Sequence, residues 1–521
     1  MLSQPIQILI DKLKNQKTLA PLSPDDAFIN VNKLTEKAGA AYEKLRYLVD
    51  YKDERHIRRS AVERIIKRKI IFEKGDSSGI SLIQELITGR YLANNAVPES
   101  AGKEIEKIIS AYKTLELNLS EGFRQESKTK GTLVSLMASE IEEFFYPNNE
   151  DEWVAEAFYA SVKNSIKTDQ GVSDSFLGNQ ALIACYRGLL NSDDETLFYK
   201  LWRRFVPKEW IIYGGAEMKE FAAHVPELWH EINRELSEPF SFRLLPKSAN
   251  DSIYFSVLRE LVRAYGAESG RVLSDPEAVN QFTGDFLEKN YKRQYAKARG
   301  SAARAVLYVF LTKVLLAIAI EFPYQFYVLN EIEYLPLASN IIFHPVLLFM
   351  ITLSVRPPGE ANTKAIEAGV GKILSEGIHS PIKINARQGA SLNAIFLFCY
   401  AILFLIVFGF IEVVLNRLDF SPVSMLLFLC FLALVSYFAM RIRHSANRFK
   451  VVREDDRTIA LAFNLFALPI VQAGRWLSRK FSSVNVFVFV MDFIIETPFK
   501  LILQFSDAFV SFLKERQEEV Y

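Results

Sequence analysis

The sequence predicts an all-α protein: a large helical cytoplasmic domain, then a four-helix transmembrane region, then a C-terminal amphipathic helical region. Apolar residues recur at three- and four-residue steps through residues 1–290, where strand-like alternation is scarce. Between residues 305 and 440, four apolar segments are long enough to cross a hydrocarbon core of about 30 Å. Lysine and arginine are concentrated in the connections on one side of these segments, which bears on both the number of spans and their orientation.

The composition separates the chain into a charged part and an apolar part. Of 521 residues, 50% are hydrophobic and 24% are charged, but charge is nearly absent from blocks of the stretch after residue 300. The net charge of +1 argues against a protein that coats nucleic acid. The spacing of Cys185, Cys399 and Cys430 matches no metal site, so we expect reduced structural thiols and no cofactor.

Residues 1–290 are predicted to form the all-helical cytoplasmic domain, and residues 291–304 a basic juxtamembrane segment. The N-terminus lacks a basic n-region and its apolar run is short, so it does not resemble a secretory signal. We therefore expect this domain to stay on the side of the membrane where it is made.

The four predicted spans cover residues 305–328, 335–355, 394–415 and 422–440. The third is the clearest, because Glu412 is its only charged residue. About a dozen of its Leu, Ile, Phe and Val residues each favour insertion by roughly 0.3–0.6 kcal/mol, which sums to several kcal/mol.

The charges that flank the spans predict the topology. Three basic connections fall on one side of the membrane only if there are four spans, and the two opposite loops carry a single basic residue, Arg417. Positive charge marks the cytoplasmic side, so both termini are predicted to be cytoplasmic. The lack of a presequence favours the plasma (bacterial inner) membrane over that of an organelle.

Residues 441–521 are predicted to form a basic cytoplasmic segment followed by membrane-associated amphipathic helices. Within residues 484–514, a polar stripe recurs every four residues on an otherwise apolar helix, beginning at Asp492 and Glu496. Such a helix suits the membrane surface or packing against the spans. A further pair of spans stays open as an alternative, because an even number keeps the C-terminus inside.

Four polar residues of the first two spans form a candidate intramembrane polar site: Lys313, Glu321, Asn340 and His344. A charge at the centre of a membrane helix costs about 2.5–3.5 kcal/mol and often marks a pathway or a buried ion pair. Lys313 and Glu321 are eight residues apart, about 12 Å along a helix axis, so they cannot touch directly. The sequence favours a simpler interpretation in which Lys313 snorkels toward the cytoplasm and Glu321 lies near the outer boundary. For Asn340 and His344 it favours helix–helix hydrogen bonds over a substrate site.

Two groups of arginines are candidate contacts for anionic lipid headgroups. They are Arg55, Arg58 and Arg59 on a predicted helix, and Arg441, Arg443 and Arg448 after the fourth span. The first group belongs to a basic run that also suits a solvated face, partly neutralised by neighbouring acids, or a surface for RNA or a protein partner. The expected partners are the lipid bilayer and its anionic headgroups. Protein partners and a homo-oligomer stay open, and nucleic acid is not expected.

The sequence contains no zinc, phosphate-loop or dinucleotide motif. The GDSSG sequence at residues 75–79 matches G-x-S-x-G, but its surroundings are helix-like and lack the strand that a hydrolase needs before the nucleophile. We interpret the chain as an integral membrane protein that serves as a membrane-anchored scaffold or interaction protein rather than as an enzyme. The alternative is a transporter or channel for a small solute or an ion that uses the polar groups of the first two spans. An enzyme that acts on lipids is a third hypothesis.

Overall fold

The computed structural model describes residues 2–15, 26–32, 54–72, 79–126, 128–147, 149–168, 171–331, 333–378, 381–384, 390–452 and 458–482. Within these ranges the chain is almost entirely helical, so the prediction of an all-α fold is confirmed. The strands β1 (Ile166–Thr168) and β2 (Ile382–Ile384) pair in parallel. Of the GDSSG loop only Gly79 is described, and the predicted amphipathic helix at 484–514 lies outside the described residues.

The described α-helices, in chain order, are α1 (Gln4–Lys14), α2 (Glu54–Phe72), α3 (Gly79–Thr88), α4 (Ser100–Asn118), α5 (Glu121–Gln125), α6 (Thr129–Phe145), α7 (Glu150–Ser165), α8 (Asp174–Leu190), α9 (Asp194–Phe205), α10 (Gly215–Ser237), α11 (Pro239–Leu244), α12 (Ala249–Tyr265), α13 (Ser269–Leu273), α14 (Pro276–Leu329), α15 (Tyr334–Leu353), α16 (Glu360–Ser375), α17 (Ala390–Arg417), α18 (Pro422–Ala446) and α19 (Thr458–Ser482). Short 3₁₀-helices at Lys208–Ile212 and Gly266–Glu268 join some of them.

Contacts divide the chain into two compact units. The helical unit consists of Asp11–Tyr159 and Ser173–Pro246. The span unit consists of Met1–Ile10, Ala160–Val172 and Lys247–Val484. The contacts thus group residues 247–290 with the spans, whereas the sequence groups them with the residues that precede them.

The helical unit has an aromatic core. Trp202 of α9 is fully buried and Trp210 is 1% exposed, and the ring of Tyr112 on α4 meets Trp210 edge to face with 4.8 Å between centroids. Helix α9 begins where it does because the Asp193 carboxylate accepts a hydrogen bond from the Thr196 N–H, which satisfies one of the free amide groups of the first turn. The core therefore holds α4 and α9 in fixed positions.

The span unit is organised around α14. The Asp275 carboxylate caps its first turn, and Pro276 occupies a position where a missing N–H costs nothing. The helix then continues for 54 residues, about 80 Å by the standard rise per residue. Its first half packs against α13 and α16, and its second half packs against α15 and α18.

Among the residues that the structure describes, four helices of the span unit are long and apolar enough to cross a membrane: α14, α15, the part of α17 from Ile395, and α18. The prediction of four membrane-length apolar helices is confirmed. Their outer faces expose large apolar side chains, among them Leu397 at 70% and Leu405 at 71%. Continuous apolar faces of this kind are unfavourable in water and suited to lipid.

The two ends of this four-helix bundle differ in charge. The basic end carries Arg304, Arg356 and Arg441, all exposed. The loop end carries the two tight connections, in which Asn330 and Asp419 adopt positive φ angles of 55° and 57°. Asparagine and aspartate tolerate this left-handed conformation better than most residues, which lets each connection reverse within a few residues.

Helix α19 packs closely against α18. A Cβ atom added at Gly474 would lie 1.9 Å from the carbonyl oxygen of Ala433, so only glycine fits there. Ala433 lies near the middle of α18. This part of α19 is therefore at the depth of the bundle and not beyond its end.

Candidate functional site: a polar network among the spans

The four residues of the predicted intramembrane site lie together inside the bundle. Lys313 and Glu321 are on α14, and Asn340 and His344 are on α15. Their exposed fractions are 3%, 2%, 0% and 0%, respectively. None of the four faces the apolar exterior.

Asn340 bridges the two charged residues. Lys313 Nζ donates to Asn340 Oδ1 at 2.5 Å, and Asn340 Nδ2 donates to Glu321 Oε1 at 2.7 Å. The amide is oriented correctly for both, because its oxygen accepts from the ammonium group and its NH₂ group donates to the carboxylate. A lysine and a glutamate that cannot reach each other along one helix are thus joined through the neighbouring helix.

The position of Lys313 differs from the snorkelling interpretation. Its ammonium group is turned into the bundle, where it also lies 4.2 Å from the centroid of the Phe431 ring. An ammonium group over an aromatic face gains electrostatic stabilisation when it is removed from water. Asn340 and Phe431 therefore hold the charge among the helices, away from the basic end.

A π-helical turn explains how Lys313 and Glu321 come to share a face of α14. Eight residues of regular α-helix would place them about 80° apart around the axis. The π-helical turn at Ala317–Glu321 accommodates one extra residue, which rotates the following residues back by about 100°. The net difference is only about 20°, so both side chains point toward α15.

A further departure from regular α-helix geometry extends the polar face of α14 toward the loop end. Gln325 begins a second π-helical turn, Gln325–Leu329, and is fully buried. Its Oε1 accepts from the Glu333 N–H at 3.2 Å, which ties the connection between α14 and α15 to the bundle. Gln325 is not among the residues predicted from the sequence to form the polar site. The signal that could have found it is the four-residue spacing of Lys313, Glu321 and Gln325 with the small Ala317.

Asn340 and His344 also bind α18. Asn340 Nδ2 donates to the carbonyl oxygen of Ser424 at 3.3 Å, and His344 Nε2 lies 3.0 Å from the carbonyl oxygen of Phe428. Both pairs are 84 residues apart, so α15 and α18 run parallel and in register over one turn. A neutral imidazole protonated at Nε2 satisfies the second contact. These are hydrogen bonds between helices, and they connect α14, α15 and α18 into one network.

Comparison with protein-family models, with curated proteins and with solved structures gives no match, so the interpretation depends on this geometry alone. The network joins one cation and one anion inside an apolar bundle through the side-chain amide of Asn340. Within the described ranges, no group of three His, Cys, Asp or Glu side chains is placed to hold a metal ion. This arrangement can hold α14, α15 and α18 in fixed relative positions. Its ionisable groups, Lys313 and Glu321, are also of the kind that can exchange a proton or bind an ion.

The arginines selected as lipid contacts have different surroundings. Arg59 of α2 is 3% exposed, and its Nη2 lies 2.5 Å from Asp193 Oδ2 and 2.7 Å from Glu195 Oε2. It is engaged inside the helical unit and is not presented to a headgroup. The side chains of Arg55 and Arg58 lie outside the described residues. The remaining three are exposed at and after the end of α18: Arg441, Arg443 and Arg448.

Proposed function

We propose that the chain is a multi-pass protein of the plasma (bacterial inner) membrane with both termini in the cytoplasm. The support is the difference in charge between the two ends of the bundle. Exposed arginines gather at the basic end, whereas Arg417 is the lone basic residue of the two connections at the loop end. Positively charged connections stay preferentially on the cytoplasmic side during insertion.

Cysteine labelling tests this orientation. In a variant whose three native cysteines are replaced by serine, a single cysteine is introduced at Glu331 or Leu418, both exposed at the loop end, or at Ser445, exposed at the basic end. A membrane-impermeant maleimide should label the first two in intact bacterial cells, and Ser445→Cys only after the cells are opened. The reverse pattern would contradict the proposed orientation.

We further propose that the protein is a membrane-anchored scaffold or interaction protein. The observation that carries this proposal is that Lys313, Glu321 and Asn340 are hydrogen-bonded to one another inside the bundle while its exterior is apolar. This is how a stable anchor is built, since unpaired polar groups in lipid cost several kcal/mol each. Helix α14 continues out of the bundle to α13 and α16, so it connects the anchor to the rest of the span unit.

Crosslinking tests the scaffold proposal. A photo-reactive amino acid at Leu117 or Ile212, whose side chains are 73% and 77% exposed in the helical unit, should yield a discrete heteromeric adduct in native membranes. The matched control carries the same photo-reactive amino acid at Leu397, which is 70% exposed on α17 and should crosslink to lipid. Recovery of a monomer free of protein adducts from every position in the helical unit would contradict the proposal.

The second candidate function is transport of a small solute or an ion. The specific observation in its favour is that Lys313 and Glu321 are both buried inside the bundle and that Glu321 belongs to a π-helical turn. Such turns often occur at functional sites, and ionisable residues inside membrane bundles frequently line transport paths.

Flux measurements separate the two functions. Lys313→Met and Glu321→Gln remove one charge each without enlarging the side chain. If the protein transports, each variant should lose at least about tenfold of the proton or ion flux in proteoliposomes, while Ile342→Ala on the outer face of α15 should not. If wild type shows no flux above empty liposomes, or if the charge variants match wild type, the transport hypothesis is wrong and the anchor function is favoured.

A further inference from the structure

Toward the loop end, the polar face of α14 leads to two unpartnered atoms of opposite hydrogen-bonding type. Gln325 is fully buried, and among the described residues its Nε2 atom, which donates N–H bonds, has no hydrogen-bond partner. The Oε2 atom of Glu333 is likewise buried and without a partner, and a carboxylate oxygen is an acceptor. Buried polar atoms in native proteins nearly always have a partner, so this donor and this acceptor indicate a bound ligand.

The two unpartnered atoms belong to residues that already touch. Gln325 Oε1 accepts from the Glu333 N–H at 3.2 Å, and this bond fixes the orientation of the amide, because only its oxygen can accept. The NH₂ group therefore needs an acceptor, whereas the Glu333 carboxylate needs a donor. A water molecule meets both requirements. A metal cation does not, because it prefers oxygen ligands and Gln325 offers N–H bonds.

This water site lies one turn of α14 from Glu321. Gln325 follows Glu321 by four residues, and the three residues between them are α-helical. Side chains at this spacing are neighbours on one face of a helix. The separation along the axis is roughly 6 Å by the standard rise per residue, which about one or two hydrogen-bonded water molecules can bridge.

Apolar packing closes the opposite side of the buried charge pair. Next to Lys313, toward the basic end, Val309, Leu348, Val435 and Ala439 form a buried cluster across α14, α15 and α18. A second cluster lies nearer to the basic end and consists of Ala298, Val355 and Ala446. Charge is strongly disfavoured in packed hydrocarbon that offers no water or polar group to carry it. The charge pair is therefore sealed toward the basic end, whereas the polar side chains continue toward the loop end.

We propose that water held by Gln325 and Glu333 gives the carboxylate of Glu321 access to protons from the loop end alone. Glu333 takes a proton from solution, donates it to the water and is ionised again, and the water transfers one of its own protons to Glu321. Gln325 is a positioning residue, because it orients the water without carrying the proton. The connection at residues 330–334 contains two glutamates and no lysine or arginine, so its charge favours the approach of a proton.

The inference rests on the membrane-spanning bundle proposed above, and it requires neither the scaffold function nor transport. If the protein does transport an ion or a proton, the inference names the side from which Glu321 is loaded. A lack of flux in proteoliposomes would therefore leave it intact, whereas failure of the relay would leave the anchor function intact.

Charged and titratable groups from several elements surround Glu321. Lys313 is joined to it through the amide of Asn340. His344 of α15 contacts the backbone carbonyl of Asn340, and Cys430 of α18 lies close enough to Lys313 to interact with it electrostatically. The substitutions that test the relay leave all of these groups unchanged, so that they alter the access of protons to Glu321 and not its immediate partners.

The protonation rate of Glu321 tests the relay in the full-length protein in nanodiscs, where both faces meet the solution. Light-released protons acidify the sample, and time-resolved infrared spectroscopy follows the carbonyl stretch of protonated Glu321, identified as the band that Glu321→Gln lacks. Gln325→Leu and Glu333→Gln should each slow this protonation at least about tenfold. Gln281→Leu makes the same exchange at an exposed position of α14 outside the bundle and should leave the rate unchanged.

Two results would overturn the relay. One is a wild-type protein in which the Glu321 band never appears as the pH is lowered with the fold intact. The other is protonation at the wild-type rate in both relay variants. If Gln325→Leu does not fold, Glu333→Gln decides alone, because it keeps the shape of the side chain.

Proteoliposomes test whether access is one-sided. In the cysteine-free background described above, external labelling of Leu418→Cys or Ser445→Cys measures which end of each molecule faces outward. With the vesicle interior buffered, external acidification should rapidly protonate Glu321 only in the fraction whose loop end faces outward. If the rapid fraction matches the molecules whose basic end faces outward, or the whole population, one-sided access from the loop end is wrong. Because orientation is measured in the same vesicles, the result does not depend on the orientation in cells.

Discussion

Replacing Asn340 with leucine, which has a similar volume, should destabilise the span bundle more than any outer-face substitution on the same helix. The amide makes three hydrogen bonds, to Lys313, to Glu321 and to the carbonyl oxygen of Ser424. Hydrogen bonds between membrane helices average about 0.6 kcal/mol each, so their direct loss amounts to about 2 kcal/mol. Removing one partner of a buried charge costs about 3–5 kcal/mol, which sets the upper limit, because both charges lose their bridge.

The assay is reversible unfolding in bicelles, followed by the fluorescence of a reporter on α15. The free energy of unfolding of Asn340→Leu should fall by about 2–5 kcal/mol, and that of Ile342→Ala, on the outer face, by much less. In a background with Lys313→Met and Glu321→Gln, Asn340→Leu should cost far less, because the charges that it leaves unpaired are gone. A loss within about 0.5 kcal/mol of wild type would refute the bridging role.

Two further predictions concern the rest of the span unit. Burial raises the pKa of Asp251, at the start of α12, to about 6, so the native state binds more protons than the unfolded state between about pH 4 and 6 and loses stability as pH rises through that window. Asp251→Asn should remove this pH dependence and raise the free energy of unfolding at pH 7 by up to about 3 kcal/mol, and an unchanged pH profile would contradict the assignment. Gly474→Leu would drive a side chain into the backbone of Ala433 and should displace α19, lowering stability by about 1–3 kcal/mol or more. Gly409→Leu is the matched control, because a Cβ at Gly409 meets nothing within 4 Å; equal effects of the two substitutions would contradict the close packing.

The number and type of the spans could be predicted from the sequence because lipid imposes one strong requirement. A helix such as α17, with Glu412 as its lone charge between residues 394 and 415, satisfies its own backbone polar groups and is strongly favoured in lipid. The helical periodicity of residues 1–290 also predicted the all-α fold, because the apolar face of each helix must be buried whichever element it packs against.

The arrangement of the polar network could not be predicted, because it depends on a local departure from regular helix geometry. Hydropathy and a period of 3.6 residues place Lys313 and Glu321 on related but separate faces, and only the π-helical turn brings them together. The burial of Arg59 could not be predicted from the sequence either, since its partner Asp193 is 134 residues away in the chain. A charged side chain is expected to be exposed to solvent unless a partner for it inside the fold is known.

The length of α14 has a mechanical consequence. Between Pro276 and Leu316 the helix is regular and contains no internal proline, so its backbone hydrogen bonds resist independent twisting of the two ends. A ligand or partner that turned the first part of α14 against α16 would therefore also turn Lys313 relative to Asn340. Lys313 lies more than about 40 Å along the helix axis from the start of α14, by the standard rise per residue. We therefore expect a rotation of the segment outside the bundle to be transmitted to the buried charge pair.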